Sequence, residues 1–484
     1  MKKINKNFYK NLLLKSIALL FFIAGLFQGC SLNEEPKTFI SPDAFFTGYD
    51  SYEAAVQGIY TNVPSMFQND CMMIFEMFSD ICKEPDASYE QALPTYQNDQ
   101  RPIFYNTRRF WSSAYTIVKN ANFLLSKIPE GSEYNALAAE ARFLRAYAYF
   151  YLVQVYGDIP LRKAPIESYN DIQIPRTSQE SVYEFILEDL VYAENNLNNE
   201  APQTGRVHKM TATALLAKVY LTMAGNPINK KEYFTQARDK AVSVINSGRY
   251  ELLEDYADVF QKTVYTKESI WEQLYDPQIG GNGMTGITMT AAGFKPILLP
   301  SEWFIGSFTD GDRRGEWGIT KNYKDPSDRT LPTYFQKFAI NSVIDNNIAT
   351  GSVIANYTKP YLRLAEMYLI AAEAENEING PEQAYQYVNK IRWRARTDKS
   401  KTDLVPDFKG LSKENLRNAI YLERKKELHL ECSTWIDIKR TNTFDRIQDI
   451  RPQSLIYPIG LYNQTWPIPD EELISNKIEQ NPMP

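Results

Sequence analysis

Two distant hexapeptides carry one pattern. Leu216-Ala217-Lys218-Val219-Tyr220-Leu221 is echoed by Leu364-Ala365-Glu366-Met367-Tyr368-Leu369, and Ala141 to Tyr147 overlays Ala214 to Tyr220 with aromatic, small and basic positions in register. A helical unit that recurs along a chain cannot bury its apolar face alone, so the copies must stack to make a core. This constrains the fold more than any other feature of the chain. It predicts a mainly α protein built on a tetratricopeptide-like helical repeat scaffold.

Periodicity supports the same reading. Ile117, Ala121, Leu124 and Ile128 form one helical stripe, and Val182, Ile186, Leu190, Ala193 and Leu197 form another. Between Ala136 and Tyr156, one face carries Leu137, Ala141, Leu144, Ala148, Leu152 and Val155 before Gly157 and Pro160 supply a stop. A further helix runs from Ala237 to Ile245 and ends at Asn246-Ser247-Gly248. Elsewhere the texture changes. Residues 264–276 read as a strand, followed by a Gly-, Thr- and Met-rich loop from Gly280 to Gly293, and residues 64–110 and 277–360 are long, irregular and rich in aromatics. Long segments without regular structure inside a domain are usually functional, which makes these the expected place of a binding site.

The N-terminus reads as an export signal. Lys2, Lys3, Lys6, Lys10 and Lys15 precede an 11-residue apolar run, Ile17 to Phe27, well short of the roughly 20 residues that a spanning helix needs. The run ends in Leu26-Phe27-Gln28-Gly29-Cys30, which resembles a bacterial lipobox, although Phe27 and Gln28 depart from its tightest form. Residues 1–29 are thus expected to be a lipoprotein signal peptide and Cys30 the lipid attachment site. Ser31-Leu32-Asn33-Glu34-Glu35 then resembles the acidic signal that sends Bacteroidetes lipoproteins to the cell exterior.

Removal of residues 1–29 strips five Lys and no acids, leaving 48 basic and 59 acidic residues and a net charge of −11. That balance argues against nucleic acid as a partner, for which a clustered basic surface is needed. After Cys30 the cysteines are Cys71, Cys82 and Cys432, an odd number that rules out a fully paired disulfide framework. Were Cys71–Cys82 one straight helix, its rise would part the two thiols by about 16 Å, too far to bridge. Buried thiols are the expectation.

In sum of its motifs the mature chain resembles the SusD/RagB family of nutrient-binding outer-membrane lipoproteins. The resemblance rests on Glu140-Ala141-Arg142-Phe143-Leu144-Arg145-Ala146-Tyr147, Tyr156-Gly157-Asp158-Ile159-Pro160-Leu161, Gly205-Arg206, the two echoed hexapeptides, Asn389-Lys390-Ile391-Arg392, Glu423-Arg424-Lys425-Lys426-Glu427-Leu428, Trp466-Pro467-Ile468-Pro469 and Gln480-Asn481-Pro482. One departure is visible: the family pattern resembles Glu-Gly-x-Arg, whereas here Glu431 is followed by Cys432-Ser433-Thr434-Trp435. The resemblance implies an N-terminal helical region over 30–260 and a C-terminal region over 261–484 with an irregular insert at about 264–360, the scaffold carrying an irregular, loop-rich ligand-binding subdomain with few short strands. It also implies a cell-surface protein, lipid-anchored in the outer membrane, that captures an oligosaccharide and delivers it to a TonB-dependent, SusC-like barrel transporter. A peptide ligand in the same role, or a helical-repeat scaffold for outer-membrane assembly, is the alternative.

Chemistry-bearing residues point to binding rather than catalysis. His208 and His429 are the only histidines, leaving little room for a His-based triad or a zinc site; His208 reads as a surface or capping residue at a helix start. No cofactor is implied. Glu423, Glu427 and Glu431 recur every four residues, and two carboxyl groups about 5–10 Å apart would suit glycoside hydrolysis. Interleaved with Arg424, Lys425 and Lys426, they read instead as partners in ion pairs between helices. Asp310, Asp312, Arg313 and Arg314 resemble a structural turn of the family. Trp111 reads as core. For ligand contact the expected residues are the loop aromatics Tyr89, Tyr96, Trp317 and Tyr323, with Asn98 and Arg101 close to Tyr96 in sequence, because sugar rings stack their C–H faces on aromatic planes and bind amide and guanidinium groups through hydroxyls.

Overall fold

The computed structural model describes residues 42–67, 75–76, 79–83, 101–261, 265–273, 298–321, 333–338, 359–450 and 464–482. Residues 42–48 belong to one unit, a short helix Pro42–Phe45 with the Phe45 and Phe46 rings edge to face. Tyr49–Pro484 forms the other.

Eleven helices of this second unit carry the argument: α1 (Tyr49–Tyr60), α2 (Arg101–Lys127), α3 (Asn135–Tyr156), α4 (Gln179–Asn196), α5 (Lys209–Ala224), α6 (Tyr233–Ile245), α7 (Arg313–Gly318), α8 (Leu364–Asn379), α9 (Pro381–Ala395), α10 (Lys413–Leu428) and α11 (Thr434–Thr441). Each long helix packs on the next, α2 on α3, α3 on α4, α4 on α5 and α5 on α6. The series resumes across the insert, since α6 packs on α8, and α8 on α9 and α10. This is the tetratricopeptide-like stack, mainly α, in which each unit completes the core of its neighbour.

Helix α3 is free of Gly and Pro and ends at Gly157, whose φ of 73° is left-handed and whose N–H bonds Val153 O at 2.9 Å. The sequence suggested one buried face. In fact burial runs almost unbroken from Leu137 to Tyr156. The reason is position: α2 and α4 cover two sides, and Phe143, Tyr147 and Tyr151 on another meet Trp271, Tyr361 and Phe67. Ion pairs inside the stack hold register, as when Arg145 of α3 grips Asp189 of α4 with Nε–Oδ2 and Nη2–Oδ1 both at 2.8 Å.

Part of the segment expected to be irregular is helical. α2 starts at Arg101, with Pro102 in the first turn, where a missing N–H costs nothing. Phe110 and Ala114 are buried and extend the Ile117 stripe backwards at helical spacing, a signal that was present in the sequence. Trp111 is core, as its place before that stripe suggested. At the far end of α5, a Cβ on Gly225 would stand 2.5 Å from Arg440 O, and Asn226 N donates to that same oxygen at 2.8 Å. Only a glycine lets α5 close on α11 here.

Candidate functional site

Six short strands root the irregular part: β1 (Cys82–Lys83), β2 (Ser269–Gln273), β3 (Leu299–Pro300), β4 (Ile319–Thr320), β5 (Tyr334–Phe335) and β6 (Lys359–Arg363). The strand expected within 264–276 is β2. They pair antiparallel as β1–β3, β2–β6 and β4–β5. Lys83 lies opposite Leu299, so the chain departs toward residues 84–100 at the same strand pair to which it returns from 274–297. Gln273 lies opposite Lys359, so residues 274–297 depart where 339–358 return. Thr320 lies opposite Tyr334, which brackets 322–332. Paired strands are about 4.8 Å apart. Segments distant in sequence therefore share roots.

Buried charge locks these roots. Arg363, the last residue of β6, reaches Glu268 Oε1 at 2.8 Å, Glu427 Oε1 at 2.6 Å and Glu431 Oε2 at 2.7 Å. Arg394 pairs with both Glu427 and Glu268, and Arg314 with Glu423 at 2.7 Å and with Asp312 at 2.8 Å. Lys337, beside β5, donates to Glu431 Oε1, and Lys425 pairs with Asp80, two residues before β1. Ser301, just after β3, donates its N–H to Ile81 O at 2.8 Å. Burial opposes the charged form of Glu427, but the guanidinium groups of Arg394, Arg363 and Arg314 outweigh it and hold the carboxyl well below the usual range. Glu423 and Glu431 are likewise pulled down by their basic partners against the cost of burial. These three carboxyls form the ion pairs that their spacing suggested. The expected turn at Asp312–Arg314 is structural too: Asp312 caps α7 and Arg313 binds Asp255 at 2.9 Å.

The departure at Glu431 has a backbone meaning. Cys432 has a φ of 60° and Leu430 one of 62°, left-handed conformations that favour glycine. Cys432 is buried, and its Sγ accepts from Lys359 Nζ of β6 at 3.2 Å, so the side chain that replaces hydrogen there ties the turn to a strand root. Cys82 is a buried free thiol as well.

Of the residues expected to touch ligand, Tyr89, Tyr96, Asn98 and Tyr323 lie outside the described residues, as do Cys30, Cys71 and the Gly280–Gly293 loop. Arg101 is the first residue of α2, its side chain outside the described set. Trp317 is not on a loop. It sits on α7, 7% exposed, stacked on Phe260 and edge to face with Tyr256 at 5.8 Å. The ring is a wedge under the strand roots, with its planes taken up by core aromatics. His208 caps α5, its Nδ1 accepting from Met210 N at 3.2 Å. His429 is buried at the end of α10, held by Lys426 O at 3.0 Å. Among the described residues, no group of three or more His, Cys, Asp or Glu side chains is arranged to hold a metal ion.

A feature the sequence reading passed over adjoins β2 and β6. A cavity of about 320 Å³ is walled by Trp271, Glu272 and Tyr361, with Tyr60 and Arg206 beside them and Gln57, Gln203 and Thr204 at its mouth. Trp271 stood out only as a strand residue. Its cavity partners come from three other parts of the chain, so no local motif announced them.

Residues 188–483 match the family model described as the SusD family, and residues 40–221 match one described as starch-binding associating with outer membrane. A SusD-like protein of Formosa agariphila is 30% identical, with 94% of this chain and 96% of that one aligned. A second SusD-like protein of the same organism is 26% identical over 96% and 97%. Among solved structures, a SusD superfamily protein of Parabacteroides distasonis superposes with a TM-score of 0.76 at 24% identity, over 89% of this chain and 98% of that one. A laminarin-binding SusD-like protein superposes at 0.71 and 23% identity, over 90% and 99%. These two share the fold.

Proposed function

We propose, from the premise that this chain belongs to the SusD family, that it is a cell-surface lipoprotein which captures a glycan and passes it to a TonB-dependent, SusC-like barrel in the outer membrane. The observation that carries the reading is the convergence of strand roots. Residues 84–100 and 274–297 share the β1–β3 pair as a root, and residues 274–297 and 339–358 share the β2–β6 pair. The first of these segments holds Tyr89, Tyr96 and Asn98 and runs into Arg101, and Tyr323 follows β4 closely. Aromatic planes and hydrogen-bonding groups gathered on a rigid base suit a sugar chain. The family description of starch binding and the laminarin binding of a structural relative support the ligand class. Glu423, Glu427 and Glu431, the carboxylate series weighed above for glycoside hydrolysis, are committed to ion pairs, which favours a binder over an enzyme.

The anchor and the partner are those that the lipobox and family resemblances imply, and transport physics is compatible with them. No described helix is long and apolar enough to cross a membrane, and a captured glycan would be passed to a protein that spans. A permanent complex with a barrel would bury about 2,000 Å² or more. The lipid at Cys30 would keep the protein beside that barrel.

A glycan array and a peptide pull-down on the purified protein test the ligand class. Glycans should bind intact, and Tyr96→Ala should weaken binding by about tenfold, roughly 1.4 kcal/mol. Binding of peptides alone, or cleavage of the bound glycan that a point mutation removes, would overturn the reading. Gentle detergent extraction should recover a much larger barrel subunit alongside the protein, and Cys30→Ala should release it from the membrane. Recovery as a free monomer, where other outer-membrane complexes survive, counts against the transporter partnership.

A further inference from the structure

We propose that the cavity between α1, residues 203–206, β2 and β6 is a second binding site, one that takes a single neutral sugar ring. The location stands on geometry alone, while the sugar class rests on the glycan reading above. Its volume of about 320 Å³ lies at the low end of the roughly 300–1,000 Å³ typical of small-molecule sites, enough for a ring and too little for a long chain.

The charged groups of the wall are already satisfied by protein. Arg206 donates through Nε and Nη2 to Glu140, at 2.8 and 2.5 Å, and through Nη1 to Glu53 at 2.6 Å. Tyr60 donates its hydroxyl to Glu140 Oε2 at 2.7 Å and accepts from Val207 N at 3.0 Å. The Glu272 carboxyl accepts from Tyr265 N and, at 2.7 Å, from Ser269 Oγ. Glu140 and Glu53 thus engage the Arg206 guanidinium, and Glu272 is engaged by its own neighbours. A charged ligand finds the counter-charges of the wall already paired. A neutral ligand is what remains.

The floor is aromatic and rigid. Trp271 donates Nε1–H to Gly205 O at 3.1 Å, and its ring packs on Tyr361 at 4.7 Å and on Tyr147 at 4.9 Å. A floor whose rings are already fixed loses little entropy when a ligand arrives. At the mouth, Gln57, Gln203 and Thr204 are exposed and present amides and a hydroxyl, groups that both donate and accept. A rim of neutral donors and acceptors over a buried aromatic base, Trp271 2% and Tyr361 8% exposed, matches the hydroxyl-bearing edge of a pyranose.

Saturation-transfer NMR on the full mature chain provides the test, with D-glucose, D-galactose and N-acetyl-D-glucosamine as probes and N-acetyl-tyrosinamide as the peptide-like control. At least one sugar should show transfer. Thr204→Trp, which fills the mouth from an exposed position, should cut the signal by about tenfold without lowering the melting temperature. Should that variant fold poorly, Gln57→Ala with Gln203→Ala carries the test and should weaken the same signal. Tyr96→Ala should leave it intact. Absence of transfer from every sugar, transfer that survives both sets of mouth variants, or preference for N-acetyl-tyrosinamide would overturn the proposal. Failure of the loop reading would register separately, as longer-glycan binding indifferent to Tyr96→Ala.

Discussion

Lys218 and Glu366 occupy the third position of the two echoed hexapeptides, and in the folded protein they are ion-paired to each other at 3.0 Å in the core. The repeat therefore meets itself, α5 against α8. Burial alone would lower the Lys218 pKa, but the Glu366 carboxylate overrides it and raises the value above the ordinary one. In the overlay of the first helix block, Arg145 takes the same position and pairs with Asp189 of the adjacent helix. One register position thus supplies a buried cation to two layers of the stack.

Breaking that pair should be costly. Lys218→Met leaves Glu366 buried, with Arg424 3.8 Å away, and the expected loss is about 3–5 kcal/mol. The double variant Lys218→Met, Glu366→Leu should lose less than Lys218→Met alone, since no orphan charge remains. Urea unfolding of both variants decides the matter, and equal losses would show that packing rather than charge holds the contact.

Trp317→Ala should destabilise the fold rather than merely weaken ligand binding. Removing a buried ring between Phe260 and Tyr256 typically costs about 3–5 kcal/mol. Thermal melts should show a clear drop, whereas Tyr169→Ala, at 87% exposure, should change little. An unshifted melting temperature for Trp317→Ala would contradict its role as a wedge.

Gly225→Ala should loosen the closure of α5 on α11, because the new methyl would press on Arg440 O. Overpacking of this kind costs about 1–3 kcal/mol. Hydrogen exchange should quicken at Asn226, whose N–H bonds the displaced oxygen; unchanged exchange there would exclude the contact.

The cap of α5 should be lost in acid. Burial, with Arg249 nearby, lowers the His208 pKa from 6.5 to about 4, and a protonated Nδ1 could not accept from Met210 N. The folded state binds fewer protons than the unfolded state between these values. His208 therefore contributes stability that is full above pH 6.5 and is lost as pH falls toward 4. His208→Asn keeps a cap acceptor without a titration, so the variant should gain on the wild type from pH 7 to pH 4.5. Parallel stability curves would refute this.

Glu76 should act in the opposite sense. Burial raises its pKa to about 7, despite Lys337, Lys359 and a hydrogen bond from Ser433 N. The folded state therefore holds an extra proton between pH 4.5 and 7. That contribution is full below 4.5 and is lost as pH rises through 7. Glu76→Gln should become progressively more stable than the wild type from pH 5 to pH 8. A constant difference would mean that Glu76 is not the group that titrates.

How far the fold was legible follows the range of the interactions. The stripe through Val182, Ile186, Leu190, Ala193 and Leu197 is buried throughout, and Gly157 stops α3 where the sequence put it. The basic residues between Glu423 and Glu431 pointed correctly to ion pairs. Their partners could not be named, because Arg314, Arg363 and Arg394 come from other elements. Trp317 read as a loop aromatic because a six-residue helix is too short to show a period.

What the sequence by itself determined was the repeat, the helix stops, the charge pattern and the family. Each is written in contacts within a turn or two of helix, or in residues that stand side by side in the chain. Tertiary structure decided which segments share a root, which carboxylate meets which guanidinium, and where a cavity opens. Cys82 opposes Pro300 and Gln273 opposes Lys359 through strands of two to five residues, too short for alternation to show. Such pairings are selected only by the closure of the stack around them, as when α8 packs on α6 across the whole insert and carries β6, at its own N-terminus, onto β2.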